Sequence, residues 1–290
     1  MHWPKITIVT PTFERVEFLE ECIQSVIQQK YPNLEYIVCD GGSKNPAVLE
    51  LIRKYGDRLS WWDSKPDRGH AEAIRRGFDH SSGEIMNWLC SDDYLLPGSL
   101  LAVGEAFRKR PNVDIVYGHS LVIDAQGRVT KVNRAIPYCG MAAFTTCCLF
   151  QPSAFWSRRI YDHVGGNVGG INWENVIYEP NVDLLCRFQK SNARFLRIQT
   201  MLTAIRIHDG TVGATANDSV RKVSQQTFRR YYPICGRRPI YHTIFFVMRF
   251  YQILALLLQG DWRYVCGEIR RKLVFLFPRQ NAARCENPPR

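Results

Sequence analysis

The sequence predicts an α/β fold, a mostly parallel sheet flanked by helices on both faces, followed by a C-terminal helical appendage. Three observations carry this. Short apolar runs alternate with longer amphipathic ones from Lys5 to Arg110, the pattern of successive βαβ units packed on one sheet. The strand-like runs are followed by polar and glycine-containing breaks. The basic character is confined to the end: residues 219–290 hold 14 Lys/Arg against 3 Asp/Glu, a balance of +11 that accounts for the whole net charge. We therefore expect a domain over 1–225 and a basic, apolar helical tail over 226–290.

Taken in order, Lys5–Val9 is a strand that Thr10-Pro-Thr-Phe-Glu14 interrupts. From Val16 to Lys30 the residues Phe18, Leu19, Cys22, Ile23, Val26 and Ile27 recur at helical spacing, with Glu17, Glu20, Glu21, Gln24 and Gln28 on the other face. Leu34–Cys39 is the next strand, ending at Asp40-Gly-Gly-Ser43, and Pro46–Tyr55 a second helix with proline in its first turn. Leu59–Trp62 predicts a short strand, Gly69–His80 a helix, Glu84–Cys90 a strand and Gly98–Arg110 a helix. After a strand at Val113–Tyr117 the alternation stops. Ser120–Asp124 and Arg128–Val132 form a hairpin around Ala-Gln-Gly. Phe150–Gly170 holds a short helix and the loop Gly165–Gly170, Asp183–Lys190 is helical, and Phe195–Ile207 contains strand.

Length leaves room for one large domain, or one domain plus an appendage. The 10 cysteines form no CxxC pair, which argues against a zinc ribbon, and many lie inside apolar runs. A strand begins almost at Met1, so no signal peptide is expected, and a reducing, cytosolic setting follows.

The chemistry is expected at the carboxyl ends of the strands, where open parallel sheets bind ligands. Three strand ends carry unusual polar groups: Thr10-Pro-Thr-Phe13, Asp40-Gly-Gly-Ser43 and Ser91-Asp-Asp93. Asp92 and Asp93 follow an apolar run directly, and such a pair repels unless a cation lies between them. Either they hold a hard divalent cation shared with a phosphorylated substrate, or they are a helix cap plus a surface acid. Asp40 either accepts a hydrogen bond from a base or ribose, or closes an Asx turn. Asp67-Arg68-Gly-His70 precedes a helix start, a place suited to phosphate or to a solvated turn. Neither GxGxxG nor GxxxxGK[ST] is present, which removes ordinary nicotinamide and ATPase readings.

Thr10-Pro-Thr-Phe, Asp40-Gly-Gly-Ser, Lys65-Pro-Asp-Arg-Gly69 with Ala73 and Gly77, Gly83-Glu-Ile with Asp92-Asp93 and Pro97-Gly98, Gln151-Pro152, Asp183-Leu184 with Arg187, and Arg206-Ile-His208 stand in this order. The set resembles family 2 glycosyltransferases of the GT-A fold, with a Rossmann-like sheet, from about Lys5 to Thr215. The resemblance implies inverting transfer of a sugar from a nucleotide-sugar donor, of uridine diphosphate type, to an acceptor hydroxyl. By family position Thr10, Pro11 and Phe13 shape the nucleotide site, Asp40 bonds the base, and Asp67 holds the base and ribose region, with Arg68 beside it. Asp92 lies toward the ribose, Asp93 coordinates Mg or Mn, and His208 sits near the metal or diphosphate.

The acceptor hydroxyl needs a base, and here the sequence departs from the family. Asn181 stands two residues before Asp183, where the resemblance implies an acid. Asp183, in its intact Asp-Leu-x-x-Arg187 setting, is the favoured base and Glu179 the other candidate. Cys90 replaces an acid or amide common three residues before the metal aspartate, and Glu14 a common asparagine.

In the tail, Ile244–Leu258 is intensely apolar but short of the roughly 20 residues that span a bilayer. Ile269–Phe277 sets cations beside aromatics. Both read as interfacial helices on an anionic membrane surface, the other reading being a helical subdomain or dimer contact. The implied acceptor is a lipid-linked saccharide or polysaccharide glycan at the inner face of the cell membrane, reached by a cytoplasmic, peripheral enzyme; no nucleic-acid partner is expected. The rival reading is a non-catalytic nucleotide-sugar binder or scaffold in a glycan-assembly complex. A nucleotidyltransferase would need a glycine-rich, arginine-containing loop where Thr10–Arg15 stands.

Overall fold

The computed structural model describes residues 2–139, 149–166, 180–211, 226, 229–233, 238–262 and 265–266. β1 (Ile6–Thr12), β2 (Leu34–Asp40) and β3 (Trp61–Ser64) run parallel, and β4 (Ile85–Trp88) pairs parallel on the other edge of β1. Between them lie α1 (Leu19–Ile27), α2 (Pro46–Lys54) and α3 (His70–Asp79), and beyond them α4 (Ser99–Lys109). Local chemistry explains these bounds. Asn45 caps α2 by accepting from the Ala47 amide, with Pro46 in the first turn. α4 starts after Gly98 at φ 79°, a left-handed conformation that favours glycine.

Side chains along β1 and β2 alternate between two cores. Ile6, Ile8, Tyr36 and Val38 join Leu19, Ile23 and Val26 of α1 on one face. Val9, Ile37 and Cys39 join Ile74 and Phe78 of α3 on the other. Helix α3 lies so close that a Cβ on Gly77 would come 2.5 Å from Val9 Cγ1.

The second half of the sheet is mixed. β6 (Ile115–Ile123), β7 (Val129–Asn133), β8 (Ala154–Ser157) and β9 (Phe195–Arg206) extend it, and β5 (Tyr94–Leu95) closes the far edge. The path is β3-β2-β1-β4-β8-β6-β9-β5, with β7 also on β6, and β8 antiparallel to both β4 and β6. The parallel half expected from the sequence and the β6–β7 hairpin are present.

Several bounds differ from expectation. β1 continues through Thr10 and Pro11 because they pair with Val38 and Cys39. The third strand starts at Trp61 because a 3-10 turn takes Gly56–Arg58. The strands expected at Val113–Tyr117 and Ser120–Asp124 are one strand, bridged by β8 and β7 in tandem. β5 and β8, of 2 and 4 residues, are too short for periodicity to reveal. Gln151-Pro152-Ser153 form a 3-10 turn into β8, after which comes α5 (Arg158–His163), while the loop expected over Gly165–Gly170 is described only to Gly166.

α6 (Pro180–Lys190) precedes β9, and α7 (Arg238–Leu258) lies in the tail. One side of α7 packs: Met248, Ala255 and Leu256 meet Ile136 and Val265. Tyr251 donates to Pro137 O at 3.3 Å and Arg197 to Gln259 at 2.5 Å. Phe246, Val247, Phe250, Leu254, Leu257, Leu258 and Trp262 are exposed. Among the described residues no helix is long and apolar enough to cross a membrane; the stretch 269–277 lies outside them.

Candidate functional site

Where β4 ends, the Leu89 amide still bonds Val9 O at 2.9 Å, and the chain then turns as the Asp93 amide donates to Cys90 O at 3.0 Å. The turn gathers the Cys90 thiol and the Asp92 and Asp93 carboxylates so that one ligand atom of each lies within 4.8 Å of the others. Asp93 is 6% exposed. Burial, and next the Asp92 charge, push its carboxyl well above the usual range, against the opposing pull of Arg206. Burial likewise pushes the Cys90 thiol up.

β9 supplies the counter-charge. The Arg206 amide donates to Asp93 Oδ1 at 2.9 Å, its Nε to Asp92 O at 3.2 Å, and its guanidinium meets Glu21 and lies 4.3 Å from the Phe18 ring. His208 Nδ1 accepts from the Gly210 amide at 3.2 Å, so a neutral ring carries its proton on Nε2, which points at Asp92 Oδ2 at 3.3 Å. Arg15 lies on the same Nε2 at 3.4 Å. As placed, His208 orients Asp92, and the third member of the group that could hold a metal ion is Cys90, which the sequence marks only as a lost acid.

The neighbouring strand ends form a second cluster. Phe13 is 58% exposed. A Cβ on Gly41 would sit 3.1 Å from the Phe13 ring and 3.2 Å from both Asp67 oxygens, so the glycine lets the ring and the carboxylate close together on its backbone. Asp67 Oδ1 accepts from the Gly69 amide at 2.9 Å, while its buried Oδ2 has no hydrogen-bond partner among the described residues. Burial raises this carboxyl above its ordinary value.

The other expected donor residues are placed differently. Thr10 is fully buried, its hydroxyl 3.1 Å from Tyr36 Oη, and Pro11 lies inside β1. Asp40 accepts from Ser43 N and Gly42 N at 2.8 and 3.1 Å and from the hydroxyls of Ser43 and Ser64. It therefore closes the Asx turn that was the alternative reading. Arg68 turns to Glu72 at 3.1 Å. The cation that faces this cluster is Arg76, which reaches Asp63 at 3.0 Å, Asp67 at 3.5 Å and Asp40 O at 2.9 Å. Sequence reasoning missed it; the one signal was its place on α3 beside the small residues Ala73 and Gly77.

Asp183 opens α6 and is 5% exposed. Its Oδ2 takes Arg187 Nε at 2.8 Å and its Oδ1 takes the Tyr231 hydroxyl at 2.7 Å. Leu184 and Phe188 of the same helix pack with Trp156 and Trp88, so α6 is seated on the core that carries β4. Glu179 lies outside the described residues, as does the side chain of Asn181.

The model of glycosyl transferase family 2 matches residues 7–198. An uncharacterized glycosyltransferase of Rickettsia felis is 29% identical over 47% of this chain and 23% of its own length. A Campylobacter jejuni protein named GalNAc(5)-diNAcBac-PP-undecaprenol beta-1,3-glucosyltransferase is 30% identical over 44% of this chain and 41% of its own. The chain thus spans less than half the length of these two curated relatives. Among solved structures, S. aureus TarS 1-349 in complex with UDP-GlcNAc superposes with a TM-score of 0.60 at 16% identity, covering 77% of this chain and 65% of that one. The mannosyltransferase PcManGT from Pyrobaculum calidifontis, in complex with GDP-Man and Mn2+, gives 0.58 at 16% identity, covering 96% and 82%.

Proposed function

The chain belongs to glycosyl transferase family 2 and has the GT-A fold, and on that premise we propose that it is an inverting, metal-dependent glycosyltransferase. It moves a sugar from a nucleotide-sugar donor, of uridine diphosphate type, to an acceptor hydroxyl. The observation that carries this reading is the pairing, at the carboxyl edge of adjacent parallel strands, of the Phe13–Gly41–Asp67 cluster with the Cys90–Asp92–Asp93 group.

Each cluster fits its part. A nucleobase stacks on the exposed Phe13 ring and presents a ring N–H to Asp67 Oδ2, which accepts no hydrogen bond among the described residues and has Arg76 Nη1 at 3.5 Å. The two carboxylates of the second cluster, one of them buried at the cost of a raised pKa, fit a divalent cation such as Mg or Mn, with Asp93 the principal ligand. Bound there, the cation supplies positive charge to the departing diphosphate. Arg206 fixes the turn that holds both acids, and His208 fixes the rotation of Asp92. Asp183 takes the proton of the acceptor hydroxyl, and attack from the face opposite the leaving group inverts the anomeric centre. Screening nucleotide sugars by thermal shift tests this. A uridine diphosphate sugar with Mn2+ is expected to raise the melting temperature by several degrees through mass action, with Asp67→Ala weakening donor affinity about 10-fold. No shift with any nucleotide sugar defeats the reading.

The acceptor is a lipid-linked saccharide or polysaccharide glycan, and the enzyme works as a cytoplasmic protein on the anionic inner face of the membrane. The undecaprenol-linked substrate in the name of the Campylobacter relative supports the first part. The exposed apolar side of α7, in a segment whose net charge is +11, supports the second. The full chain is expected to sediment with phosphatidylglycerol vesicles at low salt and to be released from them by Phe250→Glu. Sedimentation that is equal with and without vesicles removes the membrane from the account. Asn181 favours a second reading, a nucleotide-sugar binder without turnover.

A further inference from the structure

Residues 229–233 come from beyond the span 7–198 that matches the family, yet they reach the helix that carries Asp183. The Tyr231 hydroxyl donates to Asp183 Oδ1 at 2.7 Å. The next residue anchors the segment: Tyr232 donates to Gln189 Oε1 at 3.1 Å, and Lys190 Nζ lies 4.4 Å from the Tyr232 ring centre.

We propose that Tyr231 is a positioning residue that holds Asp183 for proton abstraction, so that the tail completes the active site. The proposal rests on the reading of Asp183 as the base. A carboxylate held on one oxygen still turns about its remaining bonds. With Arg187 on Oδ2 and Tyr231 on Oδ1, both ends of the carboxylate plane are fixed. Arg187 cannot follow a moving carboxylate, because its Nη1 is tied to Val164 O at 3.0 Å. Each carboxylate oxygen has two lone pairs, so one on each remains for the hydroxyl of the acceptor. Burial, then the Asp183 hydrogen bond and charge, push the Tyr231 phenol up to about 12, so it remains a donor throughout the neutral range. The arrangement also suits the altered motif. With Asn181 at the position that the family resemblance gives to an acid, Asp183 lies two residues further on, about 3 Å along the axis of α6 and on another side of it, and a donor from the tail sets its aim.

The test compares Tyr231→Phe with Tyr232→Phe in the full chain. The first removes only the oxygen on Asp183, and the second weakens the anchor of the same segment. Tyr231→Phe is expected to lower kcat about 10-fold while donor KM and melting temperature hold, the signature of a misaimed base rather than lost binding. Tyr232→Phe is expected to keep kcat within a factor of two. Wild-type kcat in Tyr231→Phe, or equal losses in both variants, overturns the positioning role. Asp183→Asn run alongside separates the two claims. If it is inactive while Tyr231→Phe is fully active, only Tyr231 falls; if it turns over normally, the base assignment falls and takes this proposal with it.

Discussion

Asp93→Asn is expected to reduce transfer by about 10³-fold or more, the scale seen when a preorganised electrostatic group at a developing charge is removed. It is also expected to separate metal binding from folding. Asp93 is buried beside Asp92, and both effects raise its pKa above the ordinary 3.8. A carboxyl whose pKa is raised on folding favours the folded state at low pH. That advantage is lost as pH climbs from the unfolded value through the raised one, so at neutral pH the burial of Asp93 opposes folding unless a cation offsets it. The metal-free Asp93→Asn protein should therefore melt no lower than the metal-free parent at pH 7, while Mn2+ should stabilise the parent alone. Thermal melts with Mn2+ and with EDTA read this directly. A variant that transfers sugar at the parental rate, or that Mn2+ still stabilises fully, defeats the assignment of Asp93.

The second large effect is expected at Asp183. Replacing a general base costs about 10²–10⁴-fold in rate, and Asp183→Asn keeps the side-chain shape while removing the proton acceptor. Donor affinity by calorimetry should be unchanged, because the residues proposed to hold the nucleobase, Phe13 and Asp67 beside Gly41, do not belong to α6. Loss of turnover with donor binding intact identifies the base. Turnover within a factor of two of the parent shifts the role to Glu179, for which Glu179→Gln is the matching test.

Much of the fold was legible because it is local. The polar breaks after β1, β2 and β4 mark the edge where the site forms, and the helices α1 to α4 follow from the spacing of apolar residues and from Asn45, Pro46 and Gly98 at their ends. Phe13 and Asp67 come together beside Gly41, and Asp93 stands with Asp92 and Cys90. Thr10, Asp40 and Arg68 share those same breaks but direct their side chains elsewhere. A motif places a residue on a loop; it does not say whether the carboxylate turns outward to a ligand or back onto the loop's own amides. In Asp40, two amides and two hydroxyls win.

By itself the sequence determined the alternation of elements, the strand edge that carries the polar groups, and the adjacency of Asp92 and Asp93, since each is a property of neighbours along the chain. Tertiary structure decided the partners: Arg76 on the carboxylates of Asp63 and Asp67 and on the Asp40 carbonyl, His208 on Asp92 from 116 residues away, and Tyr231 on Asp183 from 48 residues away. The physical reason is that periodicity reports which face of an element is buried, whereas the direction of a polar side chain is fixed by donors and acceptors that only packing brings within reach.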